Sequence, residues 1–501
     1  MSKDRRGKPA GAFIRRRAGL LLHPTSLPGP GGQGDLGPEA YRFVDFLQDC
    51  GCSVWQMLPL GPTHADRSPY QCLSVHAGSP RLISLDLLAR WGWLEFPGDG
   101  EGDPQEARQV HLEAAYNGFR RRATGEQQAE YDAFVQRHDW LEDYALYQAL
   151  RDEHQGRAWL DWPAPLRDRH LSALNEARRR LAGALEQIRF QQFVFYRQWH
   201  ALRAYANERG VLLFGDMPIF VAHDSAEVWA HREFFALDET GSQQVVAGVP
   251  PDYFSETGQR WGNPHYRWDA LQADHFGWWV QRMGSQLELF DLVRVDHFRG
   301  FQAYWEIPAE AETAVDGRWV EAPGEALFER LYHEFHQLPL VAEDLGYITP
   351  EVESLRRRFA LPGMKVLQFA FDGGPGNPYL PHNHEALGVA YTGTHDNDTT
   401  VGWFDRIDEQ ARAHVRDYLG LDPQAGMPWP LIRAAMASVA RLAVVPMQDI
   451  MGLGSADRMN VPGQTEDNWV WRFTWDQVPE DAAPRLAHLV RLYGRESAPP
   501  R

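Results

Sequence analysis

The chain reads as a series of short apolar runs, each stopped by polar residues, glycine or proline. Eight stand out: Gly19–Leu22, Ser53–Leu58, Val211–Phe214, Leu292–Val295, Leu338–Ala342, Met364–Phe371, Gly388–Tyr391 and Leu442–Val445. Strands buried on both faces of a parallel sheet read as continuous apolar runs rather than alternating ones. Several runs lead into patterns with helical spacing, such as Ala40–Leu47 after the first. Eight strand–helix units predict an α/β fold, a (β/α)8 TIM barrel, whose active-site residues come from the carboxyl ends of the strands.

The uneven spacing of the runs predicts large, mainly helical insertions between barrel strands. Between Leu58 and Val211 lie about 150 residues, far beyond a normal βα loop. Helical patterns occupy Gln105–Arg121, Ala129–Gln136, Trp140–His154 and a long amphipathic stretch from Asp168 to Asn207. The expected organisation is a leader over residues 1–18, disordered or loosely packed, and one catalytic barrel over 19–495. That barrel carries a helical subdomain at about 80–207 and an insertion covering the active site at about 222–290. Residues 496–501 form a frayed tail. The second insertion holds Gly248-Val-Pro-Pro-Asp-Tyr-Phe254 and Gly258-Gln-Arg-Trp-Gly-Asn-Pro264, whose Gly, Pro and aromatic density predicts an ordered loop.

Composition narrows the partners. The chain has 501 residues, of which 44% are hydrophobic, enough for one large core. Lys and Arg number 50 against 68 Asp and Glu, a net charge of −18 that disfavours nucleic acid and anionic membranes. Nineteen Trp suit a sugar-stacking groove as well as a core. Cys50, Cys52 and Cys72 are odd in number and fit neither a disulfide framework nor a zinc knuckle, so reduced thiols and a cytoplasmic location are expected. The basic start from Lys3 to Arg17 precedes an apolar run that stops at His23-Pro24, too short for a signal peptide. No stretch approaches 18 apolar residues.

Candidate chemistry sits at four strand ends. Arg294 and Asp296 lie two residues apart on one strand and point the same way. A guanidinium beside a carboxylate keeps it ionised, as a carboxylate nucleophile requires. An ion pair that only orders the strand end is the other reading. Phe214-Gly-Asp216-Met-Pro-Ile-Phe220, Val341-Ala-Glu343-Asp344-Leu-Gly346 and Thr392-Gly-Thr-His395-Asp396-Asn397-Asp398 close three further runs. In a barrel all four converge on one face. Converging carboxylates cannot all ionise cheaply, so their pKa values separate. Glycosidic bond cleavage uses that separation, with an ionised carboxylate attacking and a protonated one releasing the leaving oxygen. Asp296 suits the first part and Glu343, desolvated by its apolar strand, the second; Asp396 suits holding a distorted sugar ring. Asp216 also reads as a turn acid or helix cap. His395 with Asp396 also reads as part of a metal site, although no second His-rich cluster completes it. His223 and His297 read singly as structural, and Trp261, between Arg260 and Gly262-Asn263, as surface-accessible.

These motifs together resemble the 4-α-glucanotransferases (amylomaltases, or disproportionating enzymes), relatives of the α-amylases. The resemblance runs from about Gly19 to Phe473. It rests on Leu22-His-Pro-Thr-Ser-Leu-Pro-Gly-Pro30, Trp55-Gln-Met-Leu-Pro-Leu-Gly-Pro-Thr63, Ser68-Pro-Tyr-Gln71, Gly215-Asp-Met-Pro-Ile-Phe220, Arg294-Val-Asp-His-Phe-Arg-Gly-Phe301, Ala342-Glu-Asp-Leu-Gly346, Thr392-Gly-Thr-His-Asp-Asn-Asp398 and Arg458-Met-Asn-Val-Pro-Gly463. It implies Asp296 as nucleophile, Glu343 as acid/base and Asp396 as transition-state stabiliser. It implies Arg294, His395 and Asp216 around the reacting glucose, with Tyr70, Trp261 and Asn468 lining the groove. Asp252, Tyr253, Phe254, Gln259 and Asp372 are further expected substrate contacts, the first three on a loop that covers the site. The family needs no metal or organic cofactor, and the chain looks like its short type without an added N-terminal domain. Expected substrates are malto-oligosaccharides, amylose and other α-1,4-glucans, with glucose as an acceptor. The rival readings are an α-amylase-like hydrolase and a non-catalytic glucan-binding protein.

Overall fold

The computed structural model describes residues 11–29, 32–95, 104–251, 255–422, 426–464 and 466–496. Twelve strands lie among them. They are β1 (Arg17–Leu21), β2 (Val54–Gln56), β3 (Leu212–Pro218), β4 (Val245–Val249), β5 (Gln259–Arg260), β6 (Leu292–Asp296), β7 (Ala303–Pro308), β8 (Arg318–Glu321), β9 (Leu340–Ala342), β10 (Gly363–Val366), β11 (Gly388–Tyr391) and β12 (Leu442–Pro446). Eight pair in parallel in the order β10-β11-β12-β1-β2-β3-β6-β9. They are the eight apolar runs. All residues of β2, β9, β11 and β12 are buried, as expected of strands covered on both faces. The first covering helix, Pro38–Asp49, shows the matching logic. Proline opens it, and Ala40, Phe43, Val44 and Leu47 form its buried stripe.

The sheet closes on itself between β9 and β10. There the Ala342 N–H donates to Pro362 O at 2.8 Å. A side chain completes the seam: Asp344 Oδ1 accepts from the Met364 N–H at 2.7 Å, and Asp344 Oδ2 lies 3.2 Å from Arg356 Nε. Glycine is required at 363, because a Cβ there would lie 2.2 Å from Asp344 Oδ2.

The long connection from β2 to β3 is helical, including Pro104–Arg122, Gly125–Arg137, Trp140–Glu153, Leu171–Arg180 and Ala182–Glu208. The amphipathic stretch from Asp168 to Asn207 is not one helix. It breaks at Arg169, which adopts φ 57°, and again at Leu181 (φ −98°, ψ 13°). The final helix is pinned by two glutamines that pair as a strand would. Gln192 exchanges hydrogen bonds with both backbone groups of Gly78 (2.8 and 2.9 Å), and Gln198 with those of Ser84 (2.7 and 2.9 Å).

Two further expectations need correction. The segment 222–290 is not only an ordered loop. It contributes β4 and β5 to a four-stranded antiparallel sheet, ordered β5-β4-β7-β8, that it builds with the residues following β6. The leader is packed in part: Gly11 and Ile14 are exposed, but its other last residues are not. Phe13 is buried, the Arg17 Nε–H donates to Ala12 O at 3.0 Å, and Arg17 opens β1. Residues 1–10 lie outside the described residues. Among the described residues no helix is long and apolar enough to cross a membrane.

Candidate active site

The four acidic strand ends meet at the carboxyl end of the barrel. Register brings two of them side by side, with Asp216 opposite Arg294 and Pro218 opposite Asp296. Asp216 is 1% exposed and Arg294 3%. Arg294 Nη1 donates to both carboxylate oxygens of Asp216, at 2.7 and 2.9 Å, while its Nη2 lies 2.8 Å from Asp296 Oδ1. The guanidinium is therefore a fork between two carboxylates. Asp216 comes this close because Gly215 precedes it: a Cβ there would lie 2.3 Å from the Phe290 ring.

On the other side, Tyr70 links the clusters. Its hydroxyl donates to Asp216 Oδ2 at 2.8 Å and lies 2.7 Å from His395 Nε2, and its ring stacks on His395 at 5.4 Å. Since the phenolic proton serves Asp216, the His395 Nε2 must carry a proton of its own. The same nitrogen is 3.2 Å from Asp396 Oδ2. Asp396 Oδ1 accepts from Asn460 Nδ2 at 2.6 Å, and Arg458 Nη2 donates to the Asp396 carbonyl at 2.9 Å.

Glu343 sits across from Asp296 and is held by backbone. The His297 N–H donates to Glu343 Oε2 at 2.8 Å and the Leu345 N–H to Oε1 at 3.0 Å. His297 can aim its amide so because it adopts a left-handed conformation, φ 50°. The residue after one carboxylate thus holds the other, and both open on the same lip.

Electrostatics separate the three acids. Burial pushes Asp296 up to about 6, with Arg294 offsetting part of the rise. Arg294 tempers the effect of burial rather than overriding it, as the sequence had suggested. Burial pushes Glu343 further, to about 8, although Arg294 and the Leu345 amide pull it down. Asp396 moves the opposite way. Burial raises it, but His395 and Asn460 outweigh that and hold it well below the usual carboxylate range. At neutral pH the site therefore presents one proton-bearing carboxyl and two charged ones.

The expected groove residues distribute unevenly. Trp261 stands edge-on to His297 at 4.8 Å, and its Nε1–H donates to Gln259 Oε1 at 3.1 Å. Asn468 lies, half-buried, in the loop after the last barrel strand. It staples its own loop, accepting from the Val461 N–H at 2.8 Å and donating to Gln464 O at 2.8 Å. Its neighbour Trp469 packs near the cluster, 5.9 Å from the Tyr70 ring and 6.1 Å from His395. Asp372 is exposed on the loop after β10 and accepts from Asn377 at 3.0 Å. Asp252, Tyr253 and Phe254 lie outside the described residues. Sequence reasoning missed Asn460, Arg458 and Trp469, although Arg458-Met-Asn-Val-Pro-Gly463 was itself a recognisable motif. The metal reading of the 395–398 stretch loses its ligand set. Asp398 turns away to Ser455 Oγ (2.8 Å) and Arg406, and Asn397 accepts from Thr394.

A family model described as 4-alpha-glucanotransferase matches residues 22–477. The chain belongs to the 4-α-glucanotransferase family. It is 53% identical over 497 residues to the 4-alpha-glucanotransferase of Thermus thermophilus, covering 96% of this chain and 99% of that protein. The enzyme of the same name from Synechocystis sp. is 48% identical over 496 residues, 96% of this chain and 98% of its own. Among solved structures, the amylomaltase of Streptococcus agalactiae in complex with acarbose superposes with a TM-score of 0.92 at 36% identity, covering 96% of this chain and all of that one. Family membership makes the protein an enzyme, a 4-α-glucanotransferase on a TIM barrel.

Proposed function

We propose that this transferase works by retaining double displacement on α-1,4-glucans, with Asp296 as nucleophile, Glu343 as acid/base and Asp396 as stabiliser of the transition state. Asp296 attacks the anomeric carbon while Glu343 gives its proton to the departing O4, so one C–O bond forms as one breaks. Glu343, now charged, takes the proton from the 4-hydroxyl of an incoming glucan or glucose. That oxygen displaces Asp296, and the number of glycosidic bonds is unchanged. Asp396, charged beside His395, favours the positive sugar ring of the transition state. Arg294, Asp216, Tyr70 and His395 hold the hydroxyls of the reacting glucose, and Trp261 and Gln259 border the acceptor. Malto-oligosaccharides, amylose and glucose are the partners, in a cytosolic setting compatible with three free thiols.

The observation that carries this reading is the pairing of His297 N–H with Glu343. It supports two carboxyls on one lip in unlike surroundings, one with a guanidinium and one without. Maltosyl fluoride is a donor whose leaving group needs no proton, so it tests both parts. With Glu343→Gln enzyme, intact-mass analysis is expected to find a maltosyl adduct, and peptide mapping to locate it on Asp296. An unlabelled Asp296, or a label on another residue, would refute the nucleophile. With wild-type enzyme, maltotriose is expected to yield glucose and longer chains at constant reducing ends; rising reducing ends would indicate hydrolysis.

A further inference from the structure

Among the described residues two large aromatic side chains are more than a third exposed, Tyr347 at 74% and Trp319 at 38%. They are not scattered. Both lie over one guanidinium, Arg299, whose central carbon is 3.7 Å from the Trp319 ring centre and 5.8 Å from that of Tyr347. Arg299 is only 7% exposed and has no carboxylate at ion-pair distance among the described residues. Its Nη1 donates to the Tyr347 carbonyl at 2.6 Å, which fixes that residue's backbone. A buried cation under two outward rings is a rigid floor for a flat surface.

The position of this surface matters. Arg299 follows Asp296 by three residues, and Tyr347 follows Glu343 by four, so the rings border the lip that carries both acids. Trp319 belongs to β8, at one edge of the four-stranded sheet, and Gln259 beside Trp261 belongs to β5 at the other. Three strand intervals separate the edges, roughly 14 Å. A single glucose cannot span that gap; a chain can. Trp305 abuts Trp319 edge-on at 5.2 Å and extends the aromatic area. Exposed aromatic rings with wet edges suit the apolar faces of pyranoses better than an aliphatic patch would.

We propose that Tyr347 and Trp319, propped by Arg299, form a stacking platform for α-1,4-glucan chains outside the catalytic cleft, which favours long chains over short ones. The proposal rests on the glucan-transfer reading above but not on its covalent mechanism. Two readouts test it. In a Trp319→Ala/Tyr347→Ala enzyme, the ratio of kcat/KM for amylose to kcat/KM for maltotriose is expected to fall about three- to tenfold, the range that an aromatic stacking contact typically contributes. A fall in both by the same factor would mean that the rings only shield Arg299, and would overturn the proposal. On an inactive Asp296→Asn background, native gels cast with amylose retard the protein through binding alone. The added double substitution is expected to weaken that retardation, and unchanged mobility would also overturn the platform. Because this second readout needs no turnover, failure of the double-displacement mechanism would leave it intact.

Discussion

Arg294 grips Asp216 with one terminal nitrogen at 2.7 Å and Asp296 with the other at 2.8 Å. Lysine offers a single point charge and cannot fork between them. Arg294→Lys is expected to lower kcat for maltotriose disproportionation about a hundredfold or more, since a small displacement of a reacting group is that damaging. Near-UV circular dichroism would show whether the fold survives. An enzyme with normal kcat would mean that alignment by the fork is immaterial.

Asn460 donates to Asp396 at 2.6 Å and helps to keep that carboxylate charged. Asn460→Ala removes this donor while His395 remains. A hydrogen bond to a charged group contributes ~1.5–3 kcal/mol, so kcat is expected to drop about ten- to a hundredfold. The acid limb of the pH profile is expected to stay in place, because Asp296 sets it and Asp396, still beside His395, titrates below Asp296. An unchanged kcat would show that this hydrogen bond does not serve catalysis.

The two raised acids set the pH dependence. The proposed mechanism needs Asp296 charged and Glu343 protonated, so on it kcat/KM is expected to fall below about 6 and above about 8. Stability follows with a definite sign. The folded pKa of Glu343 lies above its usual 4.5, so the native state holds that proton more tightly than the unfolded chain. The resulting stabilisation is full below about 4.5 and is lost as pH rises through about 8. Glu343→Gln should therefore raise Tm more at pH 9 than at pH 5. Equal shifts at both pH values would contradict the raised pKa.

Asp344 is adjacent to Glu343 yet serves the barrel wall. Removing it in Asp344→Ala strands the Met364 N–H and leaves Arg356 without its closest carboxylate. Urea unfolding is expected to show a loss of ~1–3 kcal/mol, the typical result of leaving a buried donor unsatisfied, since Glu353 and Glu385 still face Arg356. Gly363→Ala should also destabilise, because the new methyl would overlap Asp344. Wild-type stability in both variants would show that the seam does not depend on this carboxylate.

The sequence exposed the barrel because its strands are buried on both faces, so each wrote an uninterrupted apolar run. The proposed catalytic acids were legible for the same reason, since each stands where such a run ends. The small antiparallel sheet was not legible. Gln259–Arg260 is two exposed residues long and Val245–Val249 is cut by Gly248, so neither alternates long enough to read as a strand. Asn460 and Trp469 sit in an aperiodic loop after the last strand, where only three-dimensional proximity gives them meaning. Trp469 illustrates the limit: it adopts φ 64°, and that left-handed turn, invisible in the sequence, accompanies its place beside Tyr70 and His395.

The junction between β9 and β10 is the shortest lap in an otherwise continuous wall, and Glu343 is the first residue beyond it. Breathing of the barrel that parts Ala342 from Pro362 would loosen the strand that leads to Glu343, one pairing out from the strand that carries Asp296. Heat or denaturant would then silence the enzyme while most of its secondary structure is still standing. Bracing this one joint would lengthen working life at high temperature more than reinforcing any of the helices outside.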